Sequence, residues 1–231
     1  MDEVLKAARV EKQAADQGEL ALINLQSMRT LSADEVFTFK IAACDNQVDR
    51  DFERFSDDAL ESLAALFVGK PMLFDHKWSA ASQTARVYAG TVEQTGTARR
   101  VVLRAYMLRS DQTAPVIAAI EGGILREVSV GVAVSAHTCS VCGGDYLECA
   151  HRRGREYDGK QCHVVLSGVT EAYELSFVAV PAQREAGVVK RYEGKEAGPE
   201  TSEQPEQDVP GGLSLRMKQM SAQIKMNESE E

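Results

Sequence analysis

The chain has 231 residues, of which 44% are hydrophobic and 26% are charged, enough for one sizeable core with room for an insertion and tails. Its net charge of −9 and its lack of a long Lys/Arg cluster argue against nucleic acid as a partner. No apolar run reaches the length of a bilayer span and the N-terminus lacks a signal pattern, so we expect a soluble cytosolic protein with no membrane partner.

The first half of the chain predicts helices on either side of a strand. Helix formers dominate the start, so we assign 1–35 as an N-terminal helical segment with a break at Gly18. Residues 36–44 are rich in β formers and predict a strand. Ser56 has the features of an N-cap, and the helix that follows should end at Gly69.

The next elements predict a hairpin, a short helix and two strands. Residues 86–94 and 99–109 are β-rich and flank a tight turn containing a glycine. A helix should begin near Thr113 and end at Gly122, since proline follows in its first turn. Two further strands are predicted, over 124–134 and 171–180.

This order of elements indicates a mainly β fold with interposed helices (α+β). A β-barrel or a strongly curved sheet decorated by helices is the simplest architecture, because no βαβ rhythm is present. We assign 36–192 to one domain, followed by an acidic flexible linker over 193–212. The tail, 213–231, has an amphipathic stripe that should dock on a partner or stay unfolded, formed by Leu213, Met217, Met220 and Ile224.

The stretch 126–134 predicts a strand with two different faces. Alternate positions carry valine on one face, while Ser129, Gly131 and Ala133 share the other. Small neighbours leave room for a substrate backbone beside the serine hydroxyl, as an acyl-transfer nucleophile requires. The alternative is a half-buried strand whose serine has no chemical role.

A base and an acid for this serine can be found elsewhere in the chain. His76 follows an apolar approach and is a candidate general base, although a structural histidine is the alternative. Glu174 is a carboxylate inside an apolar strand, which is costly unless it is paired, and Asp75 and Glu127 are rival acids. Ser176 competes for the role of nucleophile, but its same-face neighbours leave less open space.

Three short blocks together resemble the caudovirus prohead serine protease family. They are PMLFDH at 71–76, EVSVG at 127–131 and ELSFVAVPA at 174–182, in the family's order of histidine, serine and acid. The resemblance covers roughly 36–190. It implies a fold similar to the herpesvirus assemblin protease, a β-barrel ringed by helices.

The resemblance also implies an activity. The chain would be a serine endopeptidase that trims scaffold and capsid proteins inside the assembling phage head, in the host cytoplasm. By position, Ser129 would be the nucleophile, His76 the general base and Glu174 the orienting acid. Self-cleavage and assembly as a homo-oligomer stay open.

A cysteine-rich insertion, 138–165, separates the serine strand from the acid strand. Two closely spaced cysteines followed by further Cys and His residues predict a structural Zn²⁺ site, since a cytosolic chain does not favour disulfides. His151 is the strongest substitute ligand, and Cys44 is expected to be a small core residue. The predicted ligands are Cys139, Cys142, Cys149 and Cys162.

Two other classes of function stay open. In one, the chain is a non-catalytic zinc-binding scaffold or interaction module of the prohead. In the other, the zinc is catalytic, with Glu148 as a nearby base, and the serine is incidental. The density of cysteines favours a closed, structural site over a catalytic one.

Overall fold

The computed structural model describes residues 16–183 and 186–189. Three α-helices lie in this part of the chain: α1 (Gln17–Asn24), α2 (Asp57–Leu66) and α3 (Ala114–Glu121), with a short 3₁₀ turn at Ala80–Ser82. The strands are β1 (Val36–Asp45), β2 (Glu53–Phe55), β3 (Pro71–Phe74), β4 (Ala85–Thr95), β5 (Ala98–Leu108), β6 (Val128–Cys139), β7 (Glu156–Tyr157), β8 (Lys160–Gln161), β9 (Val164–Phe177) and β10 (Gly187–Val189). The fold is therefore mostly strands with some helices, as the sequence predicts.

The strands form one large sheet and a small hairpin. The large sheet has the order β10-β1-β5-β4-β3-β9-β2, and β6 pairs with β9 as a branch. β7 and β8 form a separate two-stranded sheet. One isolated bridge, between Glu127 and Gly187, joins the residue before β6 to β10. Within the part of the chain that the structure describes, the strands do not form a closed barrel. The predicted β-barrel is therefore not observed.

The core lies between the large sheet and α2. This helix is amphipathic and buries Leu60 and Leu63, which are fully inaccessible to solvent. It packs against β4, β5 and β9, where Leu103 and Leu175 are equally buried. Each such side chain contributes roughly 1.5–3 kcal/mol by leaving water, so this contact is a main source of stability. Cys44 is buried in the same core, as predicted.

Several local predictions are confirmed. The Ser56 side chain accepts a hydrogen bond from the Ala59 amide and caps α2. β4 and β5 form the predicted hairpin, and Gly96 at its tip has φ +57°, a conformation that glycine adopts without steric cost. The break at Gly18 is wrong, because α1 begins at Gln17 with Asp16 as its N-cap and continues through the glycine.

The two strands of interest differ in extent from the prediction. β6 begins at Val128 rather than at 124, and it continues five residues past Val134. β9 begins at Val164 and ends at Phe177, before the proline at 181. Long antiparallel pairing between β6 and β9 extends both strands into the polar segment, where composition alone gives little β signal.

The remaining domain predictions lie partly beyond the described residues. Residues 1–15 of the N-terminal segment, the linker at 193–212 and the tail at 213–231 lie outside them. Among the residues that are described, no helix is long and apolar enough to cross a membrane.

Candidate active site and metal cluster

Three strands bring the predicted histidine, serine and acid to one part of the sheet. β9 pairs with β3 on one side, where Leu73 lies opposite Ser176, and with β6 on the other, where Ser129 lies opposite Ser176. Two residues along the same ladder, Gly131 lies opposite Glu174. Residues directly opposite on neighbouring strands share a face, as do residues i and i+2 on one strand. Ser129, Gly131, Glu174 and Ser176 therefore lie on one face.

His76 lies in a tight turn just after β3. Asp75 and His76 have φ of 52° and 53°, and the Lys77 amide donates to the Phe74 carbonyl at 3.0 Å. Two successive residues with positive φ are typical of a type I′ turn, which is costly without glycine, at about 1–3 kcal/mol for each residue. The turn keeps this conformation because its polar groups are held from β9, where the Ser176 Oγ accepts the His76 amide at 3.1 Å.

Glu174 holds the imidazole. Glu174 is only 2% exposed, and its Oε1 lies 2.6 Å from His76 Nδ1. The second oxygen, Oε2, accepts a hydrogen bond from Ser176 Oγ at 2.5 Å. An ionised carboxylate only accepts hydrogen bonds, so it assigns the proton of a neutral His76 to Nδ1 and leaves Nε2 as the acceptor. This is the tautomer that a general base requires.

Ser176, the alternative candidate for the nucleophile, is not free to attack a substrate. It is fully buried, and its hydroxyl donates to Glu174 while accepting the His76 amide. A hydroxyl committed to both neighbours orients the acid and the histidine turn. Ser176 is therefore better suited to positioning than to nucleophilic attack.

Gly131 makes room for the Glu174 side chain. A Cβ at position 131 would lie 2.3 Å from Glu174 Oε1 and 3.2 Å from its carboxyl carbon. Such distances are far inside van der Waals contact, so any larger residue would displace the carboxylate from His76. The sequence prediction explains this glycine by space for substrate, whereas the structure shows that the acid fills that space.

Ser129 is half-buried at the start of β6. Its hydroxyl makes no hydrogen bond within the described residues, so it is not committed to another group. Opposing residues in antiparallel strands have Cβ atoms about 4.5–5.5 Å apart, which puts Ser129 beside Ser176. The turn of His76 follows β3, on the other side of β9, and no hydrogen bond joins Ser129 to His76 among the described residues. The rival acids are less well connected: no hydrogen bond links the Asp75 carboxylate to the imidazole among the described contacts, and Glu127 lies in the bridge to Gly187.

An exposed aromatic pair borders the site. Trp78, two residues after His76, is 70% exposed, and its ring lies 5.2 Å from that of Tyr173, the residue before Glu174. Tyr173 is an extra residue of β9, because the register with β6 shifts between the pairs Gly131–Glu174 and Val132–Ala172. The bulge turns the tyrosine toward the tryptophan. The rim of the site therefore offers aromatic surface to solvent.

A cleft of about 290 Å³ lies along β6. The valine row forms one wall, and Ser129 also contributes to the lining. Carboxylates of Asp49 and Glu53 lie at the same cleft, and burial raises the pKa of both. The cleft has partly apolar and partly acidic walls and lies on the valine face of β6; neither His76 nor Glu174 lines it, so it is separate from the histidine–glutamate pair.

The insertion begins where β6 ends. Cys139, the last residue of β6, opens a tight turn in which its amide donates to the Gly144 carbonyl and its carbonyl accepts the Gly143 amide. Gly143 has φ +72°, which this turn requires and which other residues seldom adopt. From Ser140 to Gln161 no residue is buried, so the insertion has no apolar core of its own.

Three of the four predicted ligands come together with the predicted substitute. The ligand atoms of Cys139, Cys142, Cys149 and His151 all lie within 4.8 Å of one another, close enough to bind a metal ion. Cys162 lies beside this group, with its Sγ 3.9 Å from that of Cys139. Cys44 lies elsewhere, in the core.

The environment of Cys139 favours a thiolate. Burial opposes its ionisation, but the backbone amides of Cys142 and Val141 donate to the sulfur and, with the thiols of Cys142 and Cys149, lower its pKa to about 6. Burial raises the pKa of Cys149 and of Cys162. Metal ligands must be deprotonated, so Cys139 is the sulfur best prepared for binding.

The cluster and the serine lie at opposite ends of the β6–β9 ladder. Ser129 pairs with Ser176 at one end, and Cys139 pairs with Val164 at the other. Ten residues of strand separate Ser129 from Cys139, which corresponds to roughly 30 Å at about 3.3 Å per residue. A metal in this cluster cannot touch a substrate bound at Ser129, so the alternative of a catalytic zinc would need a second reaction centre.

Two functional features of the structure were missed by sequence reasoning, and a third, His151, was predicted only as a substitute ligand. The sequence has no signal for the double role of Ser176, since one of its partners, His76, lies in the turn after β3 and is about a hundred residues away. The close approach at Gly131 has a weak signal, a glycine inside a strand. For His151, the short spacing from Cys149 was a usable signal, because ligands often occur as closely spaced pairs.

Comparison with known proteins adds no relative to this picture. No protein-family model matches the chain, no curated protein matches it, and no solved structure matches it.

Proposed function

We propose that the protein is a serine endopeptidase in which Ser129 is the nucleophile, His76 the general base and Glu174 the acid that orients it. The observation that carries the proposal is the 2.6 Å contact between His76 Nδ1 and the buried Glu174 carboxylate. The uncommitted hydroxyl of Ser129 on the same face supports it further. A base held by a third group, beside a nucleophile, is the arrangement that hydrolysis of acyl groups requires.

The chemistry follows from these positions. His76 Nε2 takes the proton of Ser129 Oγ as that oxygen attacks the carbonyl carbon of the scissile peptide bond. The resulting imidazolium, stabilised by Glu174, gives the proton to the leaving nitrogen as the C–N bond breaks. Water then attacks the acyl ester with Nε2 as the base, and the Ser129 hydroxyl is restored.

The proposed substrates are the scaffold and capsid proteins of an assembling phage head. This part of the proposal is based on the resemblance of three sequence blocks to prohead proteases, including the assemblin-like arrangement that the family implies. The strand-rich fold with helices is compatible with it, and the bridge between Glu127 and Gly187 brings β10 to the start of β6.

We further propose that the cysteine cluster holds a structural Zn²⁺. Thiolates and imidazole are the ligands that zinc prefers in closed tetrahedral sites. Softness of the ligands and the absence of a carboxylate from the cluster disfavour Mg²⁺ and Ca²⁺. This zinc would order an insertion that has no buried residue between Ser140 and Gln161.

Co-expression with the neighbouring capsid and scaffold proteins tests the endopeptidase proposal. The native chain should shorten at least one of them, and Ser129→Ala should abolish the shortening, by about 10⁴-fold or more, while the fold and the metal content stay unchanged. Ser135→Ala is the matched control. It removes an exposed hydroxyl from the same strand and should leave processing intact.

Unchanged processing by Ser129→Ala would overturn the proposal. It would favour the second candidate, a non-catalytic zinc-binding module of the prohead, for which the Cys/His cluster is the supporting observation. That module would co-purify with a capsid or scaffold protein from both the native and the Ser129→Ala chains without cleaving it.

A further inference from the structure

We infer that the metal site is a closed site of three thiolates and one imidazole, in which His151 Nδ1 is the fourth ligand and Cys162 is not a ligand. This departs from the set of four cysteines that the sequence predicts. The inference rests on the zinc proposed above and is independent of the protease activity. The ion is held by Cys139, Cys142, Cys149 and His151, at the point where β6 gives way to the insertion.

The carrying observation is an unsatisfied nitrogen. His151 Nδ1 is buried and has no hydrogen-bond partner within the described residues. A buried imidazole nitrogen without a partner costs about 1–3 kcal/mol, so native proteins seldom leave one unpaired without a reason. A ring nitrogen of His151 lies within 4.8 Å of the sulfurs of all three cysteines. A metal ion at the centre of the group would satisfy it.

The ring of His151 is fixed in a ligand's orientation. Its plane meets that of Tyr157 at 89°, with ring centroids 4.6 Å apart. The Tyr157 hydroxyl accepts the Arg152 amide at 3.0 Å, and the Tyr146 hydroxyl accepts the Arg153 amide at 3.1 Å. Two tyrosines therefore hold the loop that carries the histidine.

Cys162 has an alternative role. Its sulfur lies 3.9 Å from that of Cys139, within hydrogen-bonding range for two sulfur atoms. A thiol that donates to a ligand thiolate supports the ligand from outside the coordination sphere, as outer partners do in many zinc sites. A distance of 3.9 Å is also near the roughly 3.8 Å expected between two sulfurs on one tetrahedral zinc. Cys162 is therefore the main alternative to His151 as the fourth metal ligand.

Such a site would fix one end of the β6–β9 ladder. Cys139 pairs with Val164 at the first position of β9, so a metal there joins the insertion to both strands. The ladder has register shifts after Gly131 and after Ala133, and a slip by one residue would turn every side chain to the other face. A metal that holds one end of the ladder would oppose such a slip and so help to maintain the pairing of Ser129 with Ser176.

Metal content and cobalt spectra of the full chain test the inference. The native protein should bind one Zn²⁺, and Co²⁺ in its place should give the absorption of three thiolates and one nitrogen in tetrahedral geometry. His151→Ala should weaken metal binding by about 100-fold or more, because a ligand is lost. Cys162→Ser should keep one metal with less than about tenfold change, since a hydroxyl can still donate to Cys139.

His151→Cys tests whether the loss of metal in His151→Ala reflects misfolding and not the loss of a ligand. It restores a fourth ligand and should recover one metal per chain, with a cobalt spectrum shifted to four thiolates. Loss of metal in Cys162→Ser with retention in His151→Ala would overturn the inference in favour of four cysteines. A native chain that binds no Zn²⁺ would overturn the zinc proposal, while processing by native and Ser129→Ala chains separately decides the protease proposal.

Discussion

The two ends of the β6–β9 ladder differ in whether their buried polar atoms have hydrogen-bond partners within the chain. At the Ser129 end, Glu174 is buried, but both of its oxygens are satisfied by His76 and Ser176. At the Cys139 end, three cysteine sulfurs lie close to a ring nitrogen of His151, and His151 Nδ1 is buried with no hydrogen-bond partner among the described residues. The first network has its partners within the chain, whereas under the zinc proposal the second is completed by a bound ion.

Under the proposals above, the Ser129 end is a reaction centre and the Cys139 end is a structural metal site. Within the described residues, His76 Nε2 and the Ser129 hydroxyl make no hydrogen bond, and under the protease proposal these are the two groups that act on the substrate. The Cys/His cluster consists of soft ligands, and metal binding is the one role proposed for it. Breaking the first end should therefore change turnover more than stability, and breaking the second should change stability more than turnover.

The largest effect is expected from Glu174→Gln. The amide keeps the shape but can donate to Nδ1, which favours the wrong imidazole tautomer and removes the charge that stabilises the imidazolium. We expect kcat/KM for a capsid-derived peptide to fall by about 10⁴-fold with the fold and metal content intact. Glu171→Gln, at an exposed position of the same strand, is the control and should have little effect. Equal losses for both variants would contradict the role of Glu174.

The next effect concerns the metal end. Cys142→Ser should remove the metal and lower the free energy of unfolding by about 4 kcal/mol when free zinc is about 1,000 times its Kd. In a chain of this size the melting temperature should fall by roughly 10 °C, measured by circular dichroism. Leu147→Ala, an exposed change in the same insertion, should alter neither property. If Cys142→Ser keeps its stability but loses turnover, the metal is not structural.

Gly131→Ala tests the close approach at the catalytic end. The added methyl would push Glu174 away from His76, and a misplacement of about 1 Å can cost about 100-fold in rate. The free energy of unfolding should fall by only about 1–3 kcal/mol, because the displaced atoms are the end of one side chain. Gly144→Ala is a useful control, since its Cβ meets no atom closer than 3.7 Å. Full activity in Gly131→Ala would show that the carboxylate does not need its position.

Ser176→Ala should have the smallest effect of the series. It leaves the Glu174 oxygen and the His76 amide without their shared partner, which should cost about 1–3 kcal/mol of stability and about tenfold in kcat. Denaturant unfolding and steady-state kinetics measure the two losses. Complete loss of activity in a stable Ser176→Ala chain, with Ser129→Ala still active, would exchange the roles of the two serines.

Local structure was largely predictable from the sequence because its causes are local. The cap at Ser56, the hairpin turn at Gly96 and the valine alternation of β6 each follow from neighbouring residues. The same reasoning failed at Gly18, where Asp16 caps a helix that includes the glycine. A capping side chain two residues away outweighed the low helix propensity of glycine.

Pairing between distant residues was not predictable in the same way. β3 pairs with β9 about a hundred positions away, and only that pairing brings the Ser176 hydroxyl to the His76 amide. Periodicity gives the face of a strand but not its partner. The reason for Gly131 likewise depends on its opposing residue, Glu174, so the sequence could suggest a small side chain there without identifying what fills the space.

The central claim, that Ser129 is a nucleophile activated by His76, is tested most directly by a fluorophosphonate probe followed by peptide mapping with mass spectrometry. The account predicts an adduct on Ser129 in the native chain, strongly reduced labelling in His76→Ala, and unchanged labelling in the Glu171→Gln control. An adduct on Ser176, or equal labelling of the native and His76→Ala chains, would contradict it.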